Sequence, residues 1–173
     1  MVMNTAFWKN KKVFVTGHTG FKGSWICLWL QHMEAQVFGY ALTPPTITNN
    51  FTESDVANGM TSFIGDTRDY NTLLDQMQTF SPDIVLHLAA QPLVRESYIN
   101  PRATIETNVM GTTNVFEAIR HTPSVKSVVN VTTDKCYENK EWPWGYREDE
   151  AMGGYDPYSV SKGCSELITS AYR

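Results

Sequence analysis

Short apolar runs alternate along this chain with longer segments whose apolar residues recur at helical spacing. A run that is apolar throughout indicates a strand buried on both faces, which is typical of a parallel sheet covered by helices. The predicted strands are 13–16, 35–42, 61–64, 84–88 and 125–131, and the predicted helices are 24–33, 70–80, 101–121 and 158–173. The sequence therefore predicts an α/β fold, a Rossmann-like doubly wound parallel sheet.

Composition and charge exclude several classes of protein. A length of 173 residues favours one domain, and 14 Lys and Arg against 18 Asp and Glu leave no basic surface for nucleic acid or anionic lipid. The longest apolar stretch, 25–30, is too short to span a membrane, and segment 1–12 lacks the apolar run of a signal peptide. We therefore expect a cytoplasmic protein that binds neither nucleic acid nor membrane. The odd number and wide spacing of Cys27, Cys136 and Cys164 predict free thiols and no metal site.

A glycine-rich turn, Gly17-x-x-Gly20-x-x-Gly23, joins the first predicted strand to the first predicted helix. Glycines at such a turn let backbone amides and a helix N-terminus approach a pyrophosphate. The turn therefore predicts a dinucleotide site, although the same glycines would also serve a tight strand-to-helix connection that binds nothing.

The second strand favours NAD over NADP. Dinucleotide sites usually carry an acid at its end for the adenosine ribose, but segment 37–41 has no carboxylate. The extra phosphate of NADP would require a cation, and no Lys or Arg lies between Lys22 and Arg68. Asp66, at the end of the third strand, either accepts a hydrogen bond from the adenine amino group or caps the next turn.

Tyr158 and Lys162 are four residues apart at the start of the last predicted helix, which places them on one face. An ammonium beside a phenol lowers the pKa of the phenol, so Tyr158 is a candidate base. Asp134 and Lys135 follow the fifth strand at the edge where doubly wound folds bind ligands. A solvated turn is the alternative interpretation of that charged pair.

Several motifs together resemble the extended short-chain dehydrogenase/reductase superfamily: the glycine turn, Leu88-Ala89-Ala90, Thr133 and Tyr158-x-x-x-Lys162. Segments 16–25, 87–95, 134–137, 144–148 and 152–159 more narrowly resemble the CDP-glucose 4,6-dehydratase family. Asp134-Lys135 stands where the dTDP-glucose dehydratases carry Asp-Glu. Threonine stands at 133 where family members usually have serine, and the hydroxyl is retained.

The resemblance implies an internal redox cycle on CDP-glucose. Tyr158, assisted by Thr133 and Lys162, would deprotonate the hydroxyl on glucose carbon 4 while NAD takes the hydride. Lys135 near the base and Asp134 as the acid would then remove water across carbons 5 and 6, and NADH would return the hydride to carbon 6. The product, a CDP-4-keto-6-deoxyglucose, feeds deoxysugars of bacterial surface polysaccharide. The implied cofactor contacts are Gly17, Gly20, Phe21, Gly23, Asp66, Leu88, Ala89, Ala90, Tyr158 and Lys162.

The resemblance also bears on chain length and assembly. Superfamily members run to roughly twice this length, so we expect residues 1–173 to form an incomplete NAD-binding domain, without the last strands or the sugar-nucleotide domain and inactive alone. A homodimer is expected through helices 101–121 and 158–173, which carry more apolar residues than one stripe requires. These residues are Ile105, Val109, Val115, Phe116, Ile119, Val160, Leu167, Ile168 and Tyr172.

Other interpretations stay open at the sequence level. A sugar-nucleotide epimerase or reductase would use the same Tyr158 and Lys162, and a noncatalytic NAD-binding module would need neither. Arg95 and Asn108 either touch a ligand or belong to a salt bridge and a polar helix face. Trp142 and Trp144 either line the sugar pocket or anchor their loop on the core.

Overall fold

The sheet of the protein is parallel and five-stranded. The computed structural model describes residues 5–173; residues 1–4, the beginning of the segment predicted to lack a signal peptide, lie outside the described residues. The strands are β1 (Lys12–Thr16), β2 (Gln36–Ala41), β3 (Thr61–Ile64), β4 (Ile84–His87) and β5 (Ser127–Asn130), in the order β3-β2-β1-β4-β5. All four neighbouring pairs are parallel, which confirms the predicted doubly wound sheet.

The helices follow the predicted order with some additions. They are α1 (Thr5–Trp8), α2 (Phe21–His32), α3 (Asn50–Glu53), α4 (Tyr70–Phe80), α5 (Val94–Ile99), α6 (Pro101–Ile105), α7 (Gly111–Arg120) and α8 (Pro157–Ala171). The short helices α1, α3 and α5 were not predicted. Among residues 5–173, no helix is both long and apolar enough to cross a membrane.

The prediction of one continuous helix over 101–121 is wrong at its centre. A π-helical turn, Glu106–Met110, separates α6 from α7. The hydroxyls of Thr112 and Thr113 donate to the carbonyls of Asn108 (2.7 Å) and Val109 (2.9 Å) at this turn. These bonds occupy carbonyls of the widened turn, and π turns of this kind occur frequently at functional sites.

The sheet separates two apolar cores, because successive side chains of a strand point to opposite faces. On one face, α2 covers Val13 and Val15 of β1 with its own Cys27 and Leu30. On the other face, α4 and α7 cover Phe14, whose neighbours there include Phe38, Tyr40, Leu73, Met77, Val85, Val115 and Ala118.

The expectation that every strand is buried on both faces is wrong for the two outer strands. Ile64 of β3 is 51% exposed and Val129 of β5 is 50% exposed, whereas Val13, Phe14 and Val15 of β1 are fully buried. The physical reason is position in the sheet: β3 and β5 are its edges within the described residues, so each has a neighbouring strand on one side only. Apolar strand sequence did not distinguish central from edge strands.

Two glycines allow the turn after β1 to pack closely, Gly17 against the end of β4 and Gly23 against Gly17 itself. Gly17 has a φ of +76°, a backbone conformation that side chains disfavour, and a Cβ there would lie 2.7 Å from the amide nitrogen of Ala89. A Cβ on Gly23 would overlap the carbonyl oxygen of Gly17. The first and third glycines of the motif are therefore required by the packing of the protein itself.

We predict that Gly23→Ala lowers the free energy of unfolding by about 1–3 kcal/mol or more, because backbone must move to admit the methyl group. The matched control is Gly145→Ala, since a Cβ on Gly145 meets nothing within 4 Å and should change stability by less than about 0.5 kcal/mol. Urea denaturation of both variants checks this. Equal stability of the two variants would contradict the packing argument.

Candidate active site

The carboxyl ends of β1, β4 and β5 bring three sequence-predicted motifs to one edge of the sheet. Gly17 follows β1, Leu88-Ala89-Ala90 follows β4, and Thr133 lies three residues after the end of β5. The Gly17 and Ala89 backbones are in close approach, and the amides of Leu88 and Ala89 each donate to Thr16 Oγ1 at 3.1 Å. The glycine turn and the Leu88-Ala89-Ala90 turn thus form one continuous backbone surface.

Gly20 leaves the N-terminus of α2 accessible. It is the N-cap of that helix and makes no side-chain capping bond, so the first-turn amides lack the usual side-chain partner. A Cβ on Gly20 would touch only the Gly17 carbonyl, at 3.3 Å, and would otherwise project into open space. Phe21, 73% exposed, begins the helix beside this space. We call this open space beside Gly20 and the first-turn amides of α2 the glycine cradle. It fits a pyrophosphate, whereas a larger residue at position 20 would fill it.

The helix α8 presents Tyr158 and Lys162 because of how it begins. Asp156 caps the helix by accepting from the amide of Ser159 (3.0 Å), and Pro157 occupies the first helical position, which it favours. Tyr158 and Lys162 are 8% and 6% exposed, so both lie almost entirely below the surface. The Lys162 Nζ donates to the Val131 carbonyl at the end of β5, 3.5 Å away.

The prediction that the pKa of Tyr158 is lowered by Lys162 is wrong: the pKa is raised. Burial raises the pKa of Tyr158 and outweighs the Thr133 hydroxyl, whose hydrogen bond to the phenol acts in the opposite direction. Burial also lowers the pKa of Lys162 to about 8, which Glu166 opposes and Lys22 reinforces. Lys162 nevertheless remains mostly protonated at neutral pH, so it carries a positive charge on α8, one turn after Tyr158.

Lys22 and Glu166 were missed in the sequence. Lys22 lies in the first turn of α2, and its positive charge contributes to the lowered pKa of Lys162. Glu166 lies one turn after Lys162 and accepts a hydrogen bond from the Thr132 hydroxyl. The signal that could have identified Glu166 is its spacing of four residues from Lys162 on the same helix face.

Asp134 and Lys135 lie on a 3₁₀ turn, Asp134–Cys136, directly after Thr133. The Thr133 hydroxyl donates to Asp134 Oδ1 (3.0 Å) and accepts from the Lys135 amide (3.3 Å), so this one side chain organises the turn. Asp134 raises the pKa of Tyr158 by its negative charge, which places the carboxylate near the phenol. The structure therefore brings Thr133, Asp134 and Tyr158 together, while Lys135 is exposed on the same turn.

The Asp66 carboxylate forms hydrogen bonds and an ion pair with Arg68, two residues later in the chain. This carboxylate accepts from the amide of Arg68 (2.9 Å) and pairs with the Arg68 guanidinium (2.5 Å), which holds the pKa of Asp66 below its usual value. Asp66 therefore caps the turn that follows it, which is one of the two roles predicted from the sequence. An adenine contact at Asp66 stays a prediction.

Of the remaining candidates, Asn108 and the two tryptophans have structural partners, and Arg95 faces solvent. The buried Asn108 side chain bonds the amide and the carbonyl of Gln91 at 2.8 and 3.1 Å and the Ser161 hydroxyl at 2.9 Å. Trp142 and Trp144 pack against each other, with ring centroids 5.3 Å apart, and Trp144 is 61% exposed. Arg95 is exposed on α5.

Comparison with known proteins shows the same architecture in nucleotide-sugar enzymes. The chain is 57% identical over 167 residues to a CDP-glucose 4,6-dehydratase of Salmonella typhimurium, covering 96% of this chain and 46% of that protein. A dTDP-glucose 4,6-dehydratase from Streptomyces venezuelae with NAD bound superimposes with a TM-score of 0.81 and 26% identity, covering 93% of this chain and 51% of that one. A UDP-glucose 4-epimerase from Brucella ovis in complex with NAD gives a TM-score of 0.80 and 25% identity, covering 94% and 47%.

The chain spans about half the length of the curated relatives it matches. The similarity to the nucleotide-sugar enzymes extends over the glycine turn, the strand ends and α8, which together carry the geometry described above. The sequence profile of the GDP-mannose 4,6 dehydratase family matches residues 14–173, from within β1 to the end of the chain. The chain therefore belongs to the GDP-mannose 4,6-dehydratase family.

Proposed function

We propose that the full-length protein catalyses the NAD-dependent dehydration of CDP-D-glucose to CDP-4-keto-6-deoxy-D-glucose, in the cytoplasm, for the synthesis of surface-polysaccharide deoxysugars. The observation that carries the proposal is the grouping of Thr133, Asp134 and Tyr158 at one strand end, opposite an open glycine cradle. The 57% identity to a CDP-glucose 4,6-dehydratase supports the choice of nucleotide.

NAD is the proposed cofactor. The amides at the start of α2, beside Gly20, would hold its pyrophosphate, and Lys162 would contact the cofactor from α8. The structural relatives with NAD bound support this choice, as does the lack of any Lys or Arg between Lys22 and Arg68 that could neutralise the phosphate of NADP. When bound, NAD supplies a hydride acceptor and, once reduced, a hydride donor.

Tyr158 is the proposed base for the hydroxyl on carbon 4. Its pKa is raised in the protein without ligands, so the phenol must lose its proton with help from neighbouring charge and hydrogen bonds. The Thr133 hydroxyl would stabilise the phenolate by turning its single proton from Asp134 Oδ1 to the phenol oxygen, and the protonated Lys162 supplies positive charge on the same helix face. Burial makes each of these interactions stronger than it would be in water.

Asp134 and Lys135 distinguish dehydration from the related reactions. Loss of water from carbons 5 and 6 requires a base for one proton and an acid for the departing hydroxyl. We assign Asp134 in its protonated form as the acid that gives its proton to the departing hydroxyl, since its side chain follows Thr133 on the turn beside Tyr158, and Lys135 to the neighbourhood of the base. An epimerase or reductase would need no such pair, and a noncatalytic NAD-binding module would not need Tyr158 and Lys162 on one face.

A homodimer is the proposed assembly. Part of the expected surface is unsuited to it, because Val115 and Phe116 are 0% and 4% exposed and belong to the protein's own interior. Other apolar residues of the two helices do face solvent, including Val160 at 39% and Leu167 at 61%. The proposed contact surface is therefore the outer face of α8 together with the π turn, where Met110 is 51% exposed.

We predict that Tyr158→Phe and Asp134→Asn fail at different steps when the full-length variants are mixed with CDP-glucose and NAD. Tyr158→Phe lacks the base that starts the reaction and should form no NADH, with turnover reduced at least about 100-fold. Asp134→Asn retains that base but lacks the acid, so NADH should accumulate. Absorbance at the NADH band and alkaline absorbance of the 4-keto sugar follow the two steps.

The wild-type protein should form the 4-keto sugar with NAD and only weakly with NADP. Equal NADH signals from the two variants would contradict the assigned roles. Absence of a keto sugar with every nucleoside diphosphate glucose tested would refute the dehydratase proposal, and a preference for NADP would refute the assigned cofactor.

Leu167→Glu should convert the full-length dimer to a monomer, because it places a charge in the proposed contact surface. Leu167 is already 61% exposed, so the substitution should not unfold the protein. The matched control is Ile47→Glu, which changes a loop residue that is 99% exposed and outside the proposed contact surface, so this variant should remain dimeric. Light scattering at micromolar concentration measures both. A monomeric wild-type protein would contradict the dimer.

A further inference from the structure

A chain of buried hydrogen bonds connects the end of β1 to α8 through His87. His87 is the last residue of β4 and is 2% exposed, and Thr16, Thr112 and Ser165 along the same chain are 0%, 2% and 1% exposed. His87 Nδ1 lies 2.6 Å from Thr16 Oγ1, and His87 Nε2 lies 3.1 Å from Thr112 Oγ1. An imidazole joins β1 to α7 inside the protein.

The bonds around Thr16 fix one end of the imidazole. Thr16 Oγ1 already accepts from the Ala89 amide and from the Leu88 amide, at 3.1 Å each, the Leu88 proton being shared with the Thr16 carbonyl oxygen, also at 3.1 Å. A hydroxyl oxygen has two lone pairs, so it cannot also accept from His87. The Thr16 hydroxyl must therefore donate to His87 Nδ1, which carries no proton.

The bonds around Thr112 lead independently to the same result. The single proton of the Thr112 hydroxyl is donated to the Asn108 carbonyl at 2.7 Å. Towards His87, Thr112 can act only as an acceptor, so His87 Nε2 must carry the proton. Both ends of the ring thus require the neutral Nε2–H tautomer.

The chain continues from Thr112 into the helix of the candidate active site. Ser165 Oγ accepts from the Asn130 amide (2.9 Å), which leaves its proton for Thr112 Oγ1, 3.4 Å away. The second amide proton of Asn130 is donated to Thr169 Oγ1 at 2.8 Å. Every donor from Thr16 to Thr169 therefore has an acceptor: Thr112 Oγ1 accepts from both His87 and Ser165, and the Asn130 side chain donates to both Ser165 and Thr169.

We propose that His87 is a positioning residue of the NAD site. As a neutral Nε2–H imidazole it accepts from the Thr16 hydroxyl and so leaves the lone pairs of the Thr16 oxygen for the Leu88 and Ala89 amides. Through Thr112 and Ser165 it links that turn to the helix of Tyr158 and Lys162. The inference rests on the proposed function for the identity of the cofactor. A protonated ring would present an Nδ1–H to the Thr16 hydroxyl, and both groups would then be donors. Burial and the nearby charge of Lys162 also lower the pKa of His87 to about 3, in agreement with a ring that stays neutral.

The first experiment observes the tautomer in the full-length wild-type protein labelled with ¹⁵N at histidine. Two-bond ¹H–¹⁵N correlation spectra distinguish Nδ1–H, Nε2–H and doubly protonated rings. We expect a neutral Nε2–H ring for His87, unchanged when the pH is lowered from 7 to 5. An Nδ1–H tautomer, or protonation within that range, would overturn the proposal.

The second experiment measures NAD affinity by calorimetry in the full-length protein. Thr112→Val removes the acceptor for His87 Nε2–H and should weaken NAD binding about tenfold, the effect of losing about one buried hydrogen bond. Thr112→Ser keeps the hydroxyl and should restore wild-type affinity. The matched control is Thr113→Val, which loses the same kind of bond to a helix carbonyl but does not touch the His87 chain.

The two experiments separate this inference from the proposed function. If wild type binds NAD but Thr112→Val and Thr113→Val bind it equally well, positioning by His87 is refuted and the proposed function stands. If wild type shows the Nε2–H tautomer but binds no NAD, the proposed function fails, and the cofactor role of His87 fails with it. Melting temperatures of the three variants identify any loss of affinity caused by unfolding.

Discussion

The candidate site depends on the close approach of two backbone turns, at the ends of β1 and β4. Gly17 makes the approach possible, because a side chain there would meet the Ala89 amide, and Thr16 holds the two turns together by accepting from two consecutive amides. The third glycine then brings the first turn of α2 against Gly17. The open cradle at Gly20 is a consequence of this packing rather than a separate feature.

The electrostatics of α8 follow from the same packing. Lys162 is buried beside the end of β5, where desolvation favours its neutral form, while Glu166 one turn later favours the charged form. Tyr158 is buried as well, so desolvation favours the protonated phenol. A buried Tyr and Lys on one helix face are thus poised to change protonation in response to a ligand, which a solvent-exposed pair would not be.

The sequence predicted the parts of the structure that depend on local pattern. Apolar runs located β1, β2 and β4, and the glycine spacing located the turn before α2, because both signals arise from backbone geometry and burial. The exposure of Val129 was not predictable, since an apolar strand sequence does not state which neighbours the strand will have. The π turn was not predictable either, because it involves the hydroxyls of Thr112 and Thr113 bonding to carbonyls inside their own helix.

For the site residues too, local spacing could be predicted from the sequence, whereas burial and distant partners could not. Tyr158 and Lys162 could be paired from their spacing, but the raised pKa of Tyr158 depends on the depth at which α8 packs. His87 stands in an apolar run, and this polar residue in a buried strand was a signal for a satisfied internal partner. Its partners, Thr16 and Thr112, come from distant parts of the sequence and meet only in the folded protein.

The central claim is that the strand ends, the glycine cradle and α8 form one site for NAD and a nucleotide sugar. A crystal structure of the full-length protein with NAD and CDP-glucose tests it most directly. We predict that the NAD pyrophosphate lies over the amides that follow Gly20 and that the carbon 4 hydroxyl of the sugar lies within hydrogen-bonding distance of the Tyr158 phenol. A pyrophosphate bound elsewhere, or a sugar remote from Tyr158 and Asp134, would contradict this assignment.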